Sequence, residues 1–172
     1  MEVDLSRPIA QADDRMYGVF FEDINFGADG GLYAELVRNR SFEFLPVDNR
    51  SYTGLTAWTP RGTGTASTVD DDFRLNERNR TYLRLDLDGA GRSGVTNAGW
   101  NTGIALRKGA RYDFSVWART DAAAGTPLTV TLHDAAGAAL AAPLEIAVHG
   151  DTWQKYTGTL TATARTDAGR LS

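Results

Sequence analysis

The feature that most constrains the fold is a series of short segments, starting at Thr81, in which apolar and polar residues alternate. In 81–87, three leucines lie at odd-numbered positions, while Tyr82, Arg84 and Asp86 lie at the even-numbered positions between them. A period of two places these sets on opposite faces of a strand. Similar segments follow between turn-forming glycines, and they are 99–105, 111–119, 126–133, Leu144–Val148 and 153–163. Several short alternating strands predict a mostly β fold, a sandwich or a jelly roll.

The first forty residues follow a different pattern. An apolar run from Tyr17 to Phe21 leads directly into Glu22 and Asp23, and a glycine-rich loop follows. A buried strand that ends in acidic residues is typical of a parallel barrel, which delivers side chains to a pocket in this way. Apolar residues at helical spacing then predict a short helix over 32–39. The sequence therefore divides into 1–40, a strand–loop–helix segment, and 41–172, a sandwich.

The boundaries inside the sandwich are less regular. Phe42 and Phe44 alternate with Glu43, which predicts a half-buried strand, and 46–72 reads as a loop. The final residues, 167–172, read as the start of a further strand. We therefore expect the sandwich to be truncated at its C-terminus.

Length and charge exclude several classes. A complete (β/α)₈ barrel takes about 250 residues, and this chain has 172. A net charge of −4 gives no reason to expect nucleic acid or an anionic membrane as a partner. With no cysteine in the sequence, disulfides and thiolate chemistry are excluded.

Two long matches in the N-terminal part indicate a family. The run from Tyr17 to Asn25, with the run from Gly30 to Glu43, closely resembles the N-terminus of α-L-arabinofuranosidases of glycoside hydrolase family 51. The resemblance implies that this segment supplies the first strand and loop of a catalytic barrel. It also implies that Glu22 binds hydroxyl groups of arabinose. Asn25 is a second candidate substrate contact, with loop capping as its alternative.

A second resemblance covers the sandwich. The motifs Asn39-Arg-Ser-Phe-Glu43, Trp58, Tyr112-Asp-Phe-Ser-Val-Trp-Ala-Arg119 and Trp153-Gln-Lys-Tyr156 are similar to carbohydrate-binding modules of the family 4/9 type. These modules are galactose-binding-like jelly rolls, and some arabinofuranosidases carry one after the first barrel segment. The resemblance also implies a structural calcium, for which Glu43 with Asp71 or its acidic neighbours would supply ligands. No other cofactor is expected.

The parent enzyme would release terminal arabinofuranosyl residues from plant polysaccharides with retention. A retaining glycosidase needs two carboxyl groups about 5 to 5.5 Å apart. Glu22 and Asp23 cannot be that pair, because neighbours in a strand point to opposite faces. We expect no catalytic residue in this chain and no hydrolysis by it alone.

Sugar-binding modules present aromatic surfaces with polar groups beside them. The candidates here are Trp100, Trp117 and Tyr82, with Tyr52 as a further one, and core packing is the alternative for each. Trp58 and Trp153 are expected to pack in the core. Two other functions stay open, a stand-alone module that binds arabinose-containing polysaccharide and a structural domain without ligand. Apolar surface made for an absent barrel also predicts self-association.

Overall fold

The computed structural model describes residues 35–89 and 91–172, and this part of the chain contains eleven strands and no helix. These residues therefore include no helix that is long and apolar enough to cross a membrane. In chain order the strands are β1 (Trp58–Arg61), β2 (Thr65–Asp70), β3 (Thr81–Asp86), β4 (Gly94–Asn97), β5 (Ile104–Leu106), β6 (Arg111–Ala118), β7 (Thr126–Val130), β8 (Leu132–His133), β9 (Leu144–Val148), β10 (Gln154–Thr161) and β11 (Thr166–Leu171).

The strands form one five-stranded sheet and three antiparallel pairs. The sheet has the order β1-β4-β11-β5, and β8 also pairs with β11. The pairs are β2 with β3, β6 with β10, and β7 with β9. The last strand in the chain, β11, therefore lies in the centre of the sheet, between strands that precede it by many residues.

A single apolar core joins the sheet to two of the pairs. Leu106 and Leu171 from the sheet pack in one cluster with Ile146 of β9 and Leu160 of β10. Tyr112 and other half-buried residues of the pairs pack against the same cluster. Two layers that bury one shared core make a β-sandwich. The predicted mostly β fold is confirmed.

The alternating segments identify most strands of the second half correctly. The predicted segments 81–87, 111–119, Leu144–Val148 and 153–163 correspond to β3, β6, β9 and β10 within a few residues. The segment 126–133 is divided into β7 and β8. A strand is also present at the C-terminal end, as β11, while truncation of the sandwich stays a prediction.

Three local predictions are wrong. Residues 46–72 are not one loop, because β1 and β2 lie within them. Residues 99–105 form a turn that leads into β5, and the strand before it is β4. Phe42 and Phe44 do not lie in a strand, since Phe42 has a left-handed backbone with φ of 60°. The two rings are nevertheless anchored, on Trp58 and on Tyr52.

The segment before Ser41 is tied tightly to the sandwich. The described end of the predicted helix, 35–39, is irregular and ends in a turn, and Asn39 has φ of 53°. The Asn39 side chain donates to the carbonyl oxygens of Gly54 (2.8 Å) and Thr56 (3.0 Å). Its own carbonyl oxygen accepts from the indole N–H of Trp58 (2.9 Å). The predicted strand of 17–21, the preceding loop and the start of the helix lie outside the described residues.

The fully buried Asn97, at the end of β4, holds the same segment from the other side. Its side-chain oxygen accepts from the backbone N–H of Arg38 (3.3 Å) and of Gly99 (2.9 Å). Its side-chain N–H donates to the carbonyl oxygen of Arg38 (2.9 Å). Backbone groups that lie outside any sheet are thus satisfied by two buried asparagines. We call residues 35–44 together with Asn97 the N-terminal joint.

Gly62, between β1 and β2, is required by both its backbone and its surroundings. Its φ is +82°, and a methyl group there would collide with the carbonyl oxygen of Arg92. Gly62→Ala is therefore expected to lower the free energy of unfolding by about 2 kcal/mol, measured by urea denaturation. Gly137 is the matched control, with φ of +93° and nothing within 4 Å of an added methyl group. Gly137→Ala should cost about 1 kcal/mol, the backbone strain alone. Equal costs for the two variants would contradict the predicted collision.

Candidate functional site on the outward face of β6 and β10

The β6–β10 pair is amphipathic, with one face on the core and the other in solvent. Tyr112, Phe114 and Ala118 of β6 and Tyr156 of β10 pack against the core cluster. The alternate residues point outward, and all of them are exposed. We call this set the outer face, and it consists of Arg111, Asp113, Ser115 and Trp117 on β6 and Lys155, Thr157, Thr159 and Thr161 on β10.

Trp117 is the exposed aromatic residue of this face. Its side chain is 47% exposed, and it lies directly opposite Lys155 in the register of the two strands. Next to it, Ser115 faces Thr157, and Asp113 faces Thr159. An indole surface therefore adjoins a row of hydroxyl groups and one carboxylate.

A shallow depression lies along the same two strands. Its volume is about 310 Å³, and its lining residues are Asp113, Phe114, Ser115, Thr157, Gly158 and Thr159. The Thr159 hydroxyl donates to Asp113 Oδ1 (3.1 Å), which fixes the orientation of the carboxylate. Hydroxyl and carboxylate oxygens accept hydrogen bonds from ligand hydroxyl groups, and an aromatic ring covers the apolar side of a ligand.

An aromatic cluster closes one end of the face. Arg119 and Trp153 follow the last register pair of β6 and β10, and the Arg119 guanidinium carbon lies 5.4 Å from the Trp153 ring centroid. It also lies 4.9 Å from the ring of Phe73 and 5.7 Å from that of Tyr82. The Trp153 N–H donates to the Phe73 carbonyl oxygen (2.7 Å), and the Tyr82 hydroxyl donates to Asp71 Oδ2 (3.1 Å). These contacts hold the guanidinium in place by cation–π attraction.

The structure separates the aromatic candidates. Trp117 is exposed as a binding platform requires. Trp100 and Tyr82 are only 8% and 9% exposed, so neither ring is open to a sugar, and the packing alternative applies to both. The Trp100 N–H donates to the Glu35 carbonyl oxygen (3.2 Å), and Tyr52 stacks on Phe44. Trp58 and Trp153 are half-buried and hydrogen-bonded to backbone carbonyl oxygens.

The two candidate metal ligands are engaged by hydrogen-bond donors. Glu43 Oε1 accepts from the backbone N–H of Arg80 (2.9 Å), and Asp71 accepts from Tyr82 and from the N–H of Phe73 (2.8 Å). In residues 35–89 and 91–172 no group of three acidic, histidine or cysteine residues is placed to hold a metal. Calcium needs six to eight oxygen ligands, so this arrangement fits the ion poorly. The calcium site stays a prediction, and Glu22 and Asn25 lie outside the described residues.

Lys155, Thr157, Thr159 and Arg119 were not among the residues selected from the sequence. Alternation in 111–119 correctly placed Asp113, Ser115 and Trp117 on one face. The residues of β10 join them only through the register of two strands that lie 35 residues apart, in which Gln154 is opposite Ala118 at the end of β6. The available signal was the run Trp153-Gln-Lys-Tyr156, because it contains Lys155 of the outer face.

Comparisons with known proteins agree on the type of domain. A family model described as "Carbohydrate binding domain" matches residues 34–172. The chain is 59% identical over 170 residues to an extracellular exo-α-L-arabinofuranosidase of Streptomyces chartreusis, matching 99% of this chain and 19% of that protein. It is 32% identical over 185 residues to α-L-arabinofuranosidase 1 of Arabidopsis thaliana, matching 99% of this chain and 26% of that protein.

A solved structure gives the same result. The arabinose-bound α-L-arabinofuranosidase MgGH51 superposes with a TM-score of 0.75 at 30% identity, covering 90% of this chain and 25% of that protein. The predicted resemblances to arabinofuranosidases and to carbohydrate-binding modules are therefore confirmed. The chain spans only about a fifth to a quarter of the length of these relatives.

Proposed function

The chain belongs to the carbohydrate binding domain family, and from this premise we propose that its outer face binds plant polysaccharide that contains arabinose. The module would serve as an accessory domain of a retaining α-L-arabinofuranosidase. The names of the similar proteins support this parent activity, because each of them is an arabinofuranosidase.

The exposure of Trp117 is the observation that carries the proposal. Trp117 is a large aromatic side chain that is 47% exposed on an otherwise polar face, and it lies outside the core cluster. The hydroxyl groups of Ser115, Thr157 and Thr159 lie on the same face. A sugar ring has apolar C–H faces and hydroxyl edges, and this surface offers a partner for each.

The catalytic chemistry would lie in the rest of the parent. Because the chain spans about a fifth of its relatives, we propose that both catalytic carboxyl groups belong to the remainder of the barrel, and that the purified chain hydrolyses no arabinofuranoside. Residues 1–40 would contribute Glu22 and Asn25 to the substrate pocket. The match that begins at residue 34, with the bonds of the N-terminal joint, supports a module that starts nearer to 34 than to 41.

Calorimetric titration of this chain with arabinan and xylan oligosaccharides tests binding. We expect saturable binding with a dissociation constant of about 1 mM or tighter, which corresponds to roughly 4 kcal/mol. The same titration in EDTA and with added calcium reports whether a metal contributes. Absence of heat with every glycan, together with unchanged amide NMR signals of β6 and β10, would contradict the proposal.

A structural role without ligand is the second candidate, and the loop 45–50 favours it. Leu45 and Val47 are 52% and 86% exposed, and they follow the rigid N-terminal joint directly. Backbone bonds from Asp48 and Asn49 to the Leu45 carbonyl oxygen preform this loop. Apolar side chains held in solvent are suited to contact with another surface. Light scattering on the isolated chain tests whether Leu45 and Val47 contact a second copy of this chain.

A further inference from the structure

The outer face carries a local positive charge that the whole chain does not have. The chain has a net charge of −4, yet the exposed Trp117 is flanked by two cations. Lys155 is its direct cross-strand partner, and Arg119 lies two residues further along the chain, just beyond the end of β6. Directly opposite residues in an antiparallel pair have their Cβ atoms about 5 Å apart. A ligand that stacks on Trp117 is therefore within reach of the Lys155 ammonium group.

Within the described part of the chain, neither cation has a carboxylate partner. The neighbouring basic residues differ in this respect. Arg74 pairs with Asp70 and Glu77. Hydrogen bonds that their guanidinium groups donate to Asp70 and Asp86 raise the pKa of Arg80 and of Arg84, respectively. Within residues 35–89 and 91–172, these arginines are thus engaged by carboxylates, whereas Lys155 and Arg119 are not.

The acidic group of the face lies at its other end. Asp113 is opposite Thr159, four residues along β10 from Lys155, or about 13 Å away. Its carboxylate accepts a hydrogen bond from Thr159 and has Arg111 two residues away on the same strand. A negative group bound beside Trp117 would therefore be close to two cations and beyond one Debye length from Asp113, since that length is about 8 Å at physiological ionic strength.

We propose that the outer face recognises a polysaccharide segment that carries a uronic acid, with a sugar ring on Trp117 and the uronate carboxylate on Lys155. This inference rests on the proposed function, because it assigns the ligand class of the same face. Arg119 adds a fixed charge, since three aromatic rings hold its guanidinium. Lys155 donates the charge-assisted hydrogen bond, because its ammonium group is mobile and has three donors.

The test uses two ligands that differ in one carboxyl group. The first is a xylo-oligosaccharide with one glucuronic acid substituent, and the second is the same compound after reduction of that carboxyl group to an alcohol. Titration of the complete chain at about 20 mM salt should give roughly fivefold tighter binding of the acidic form, which is the upper range for an exposed ion pair. The preference should disappear at about 1 M salt, where the Debye length is about 3 Å.

Matched variants locate the effect. Lys155→Gln should lose most of the preference for the acidic ligand, keeping only the part that the Arg119 charge contributes. Lys108→Gln removes the other lysine, which is exposed in the turn before β6, and should leave the preference intact. Equal binding of both ligands by the wild-type chain would overturn this inference while leaving the proposed function standing. No binding of either ligand, or of any neutral glycan, would overturn both.

Discussion

Replacing Asn97 with alanine is expected to lower the free energy of unfolding by about 3 kcal/mol, because it leaves three backbone groups without a partner, one in buried Gly99 and two in half-buried Arg38. Asn97 has no exposed surface, and its side chain bonds the N–H and C=O groups of Arg38 and the N–H group of Gly99. For a chain of this length the midpoint of thermal unfolding should fall by about 6 to 12 °C. Circular dichroism during heating measures this shift.

Two further variants make the Asn97 prediction specific. Asn97→Asp keeps the oxygen that accepts from Arg38 and Gly99 but turns a carboxylate oxygen toward the Arg38 carbonyl oxygen, so it should also destabilise the fold. Thr161→Ala, at an exposed end of β10, should change the midpoint little. An Asn97→Ala protein as stable as the wild type would mean that the Asn97 hydrogen bonds contribute nothing to the stability of the sandwich.

Replacing Trp117 with alanine is expected to weaken binding of arabinan or xylan oligosaccharides by about thirtyfold, which is roughly 2 kcal/mol. The indole ring supplies the large apolar surface of the outer face. The hydroxyl groups around it contribute less to the affinity, because each hydrogen bond to the ligand replaces one to water. Since the ring is half in solvent, its loss should change the unfolding midpoint by only a few degrees. Calorimetric titration measures the affinity.

Leu87→Ala is the matched control for Trp117. Leu87 is also a large apolar residue and is 52% exposed, but it lies beyond the end of β3 and outside the outer face. Its removal should leave the affinity unchanged. If Trp117→Ala binds as tightly as the wild type, the ligand does not contact β6, and the structural role becomes the better account of the module.

The sequence predicted strands well where leucine, valine or aromatic residues alternate with polar ones. In β3 and β6 this alternation reflects a real difference between the two faces, one of which lies on the core. It failed for β1 and β2, where Pro60 and the run from Thr65 to Thr68 give no apolar alternation. Proline is tolerated in β1 because that strand lies at the edge of the sheet.

The candidate site was predicted in part for a similar reason. Alternation within β6 placed Trp117 and Asp113 on the outward side, and this needs only local information. The burial of Trp100 depends on Glu35 and Arg38, which are more than 60 residues away in the chain. The pairing of Trp117 with Lys155 depends on a register between distant strands. No local pattern contains such contacts, because many distant segments could satisfy the same periodicity.

The central position of β11 determines when this protein can fold during its synthesis. All three partners of this strand, β4, β5 and β8, are synthesised before it. About 70 residues are added to the chain between the end of β4 and the start of β11. Until Thr166–Leu171 has been made, the edges of these three strands and the apolar side of Leu106 stay open to other chains. Pairing over such distances is slow. The nascent chain is therefore vulnerable to aggregation until β11 has joined the sheet.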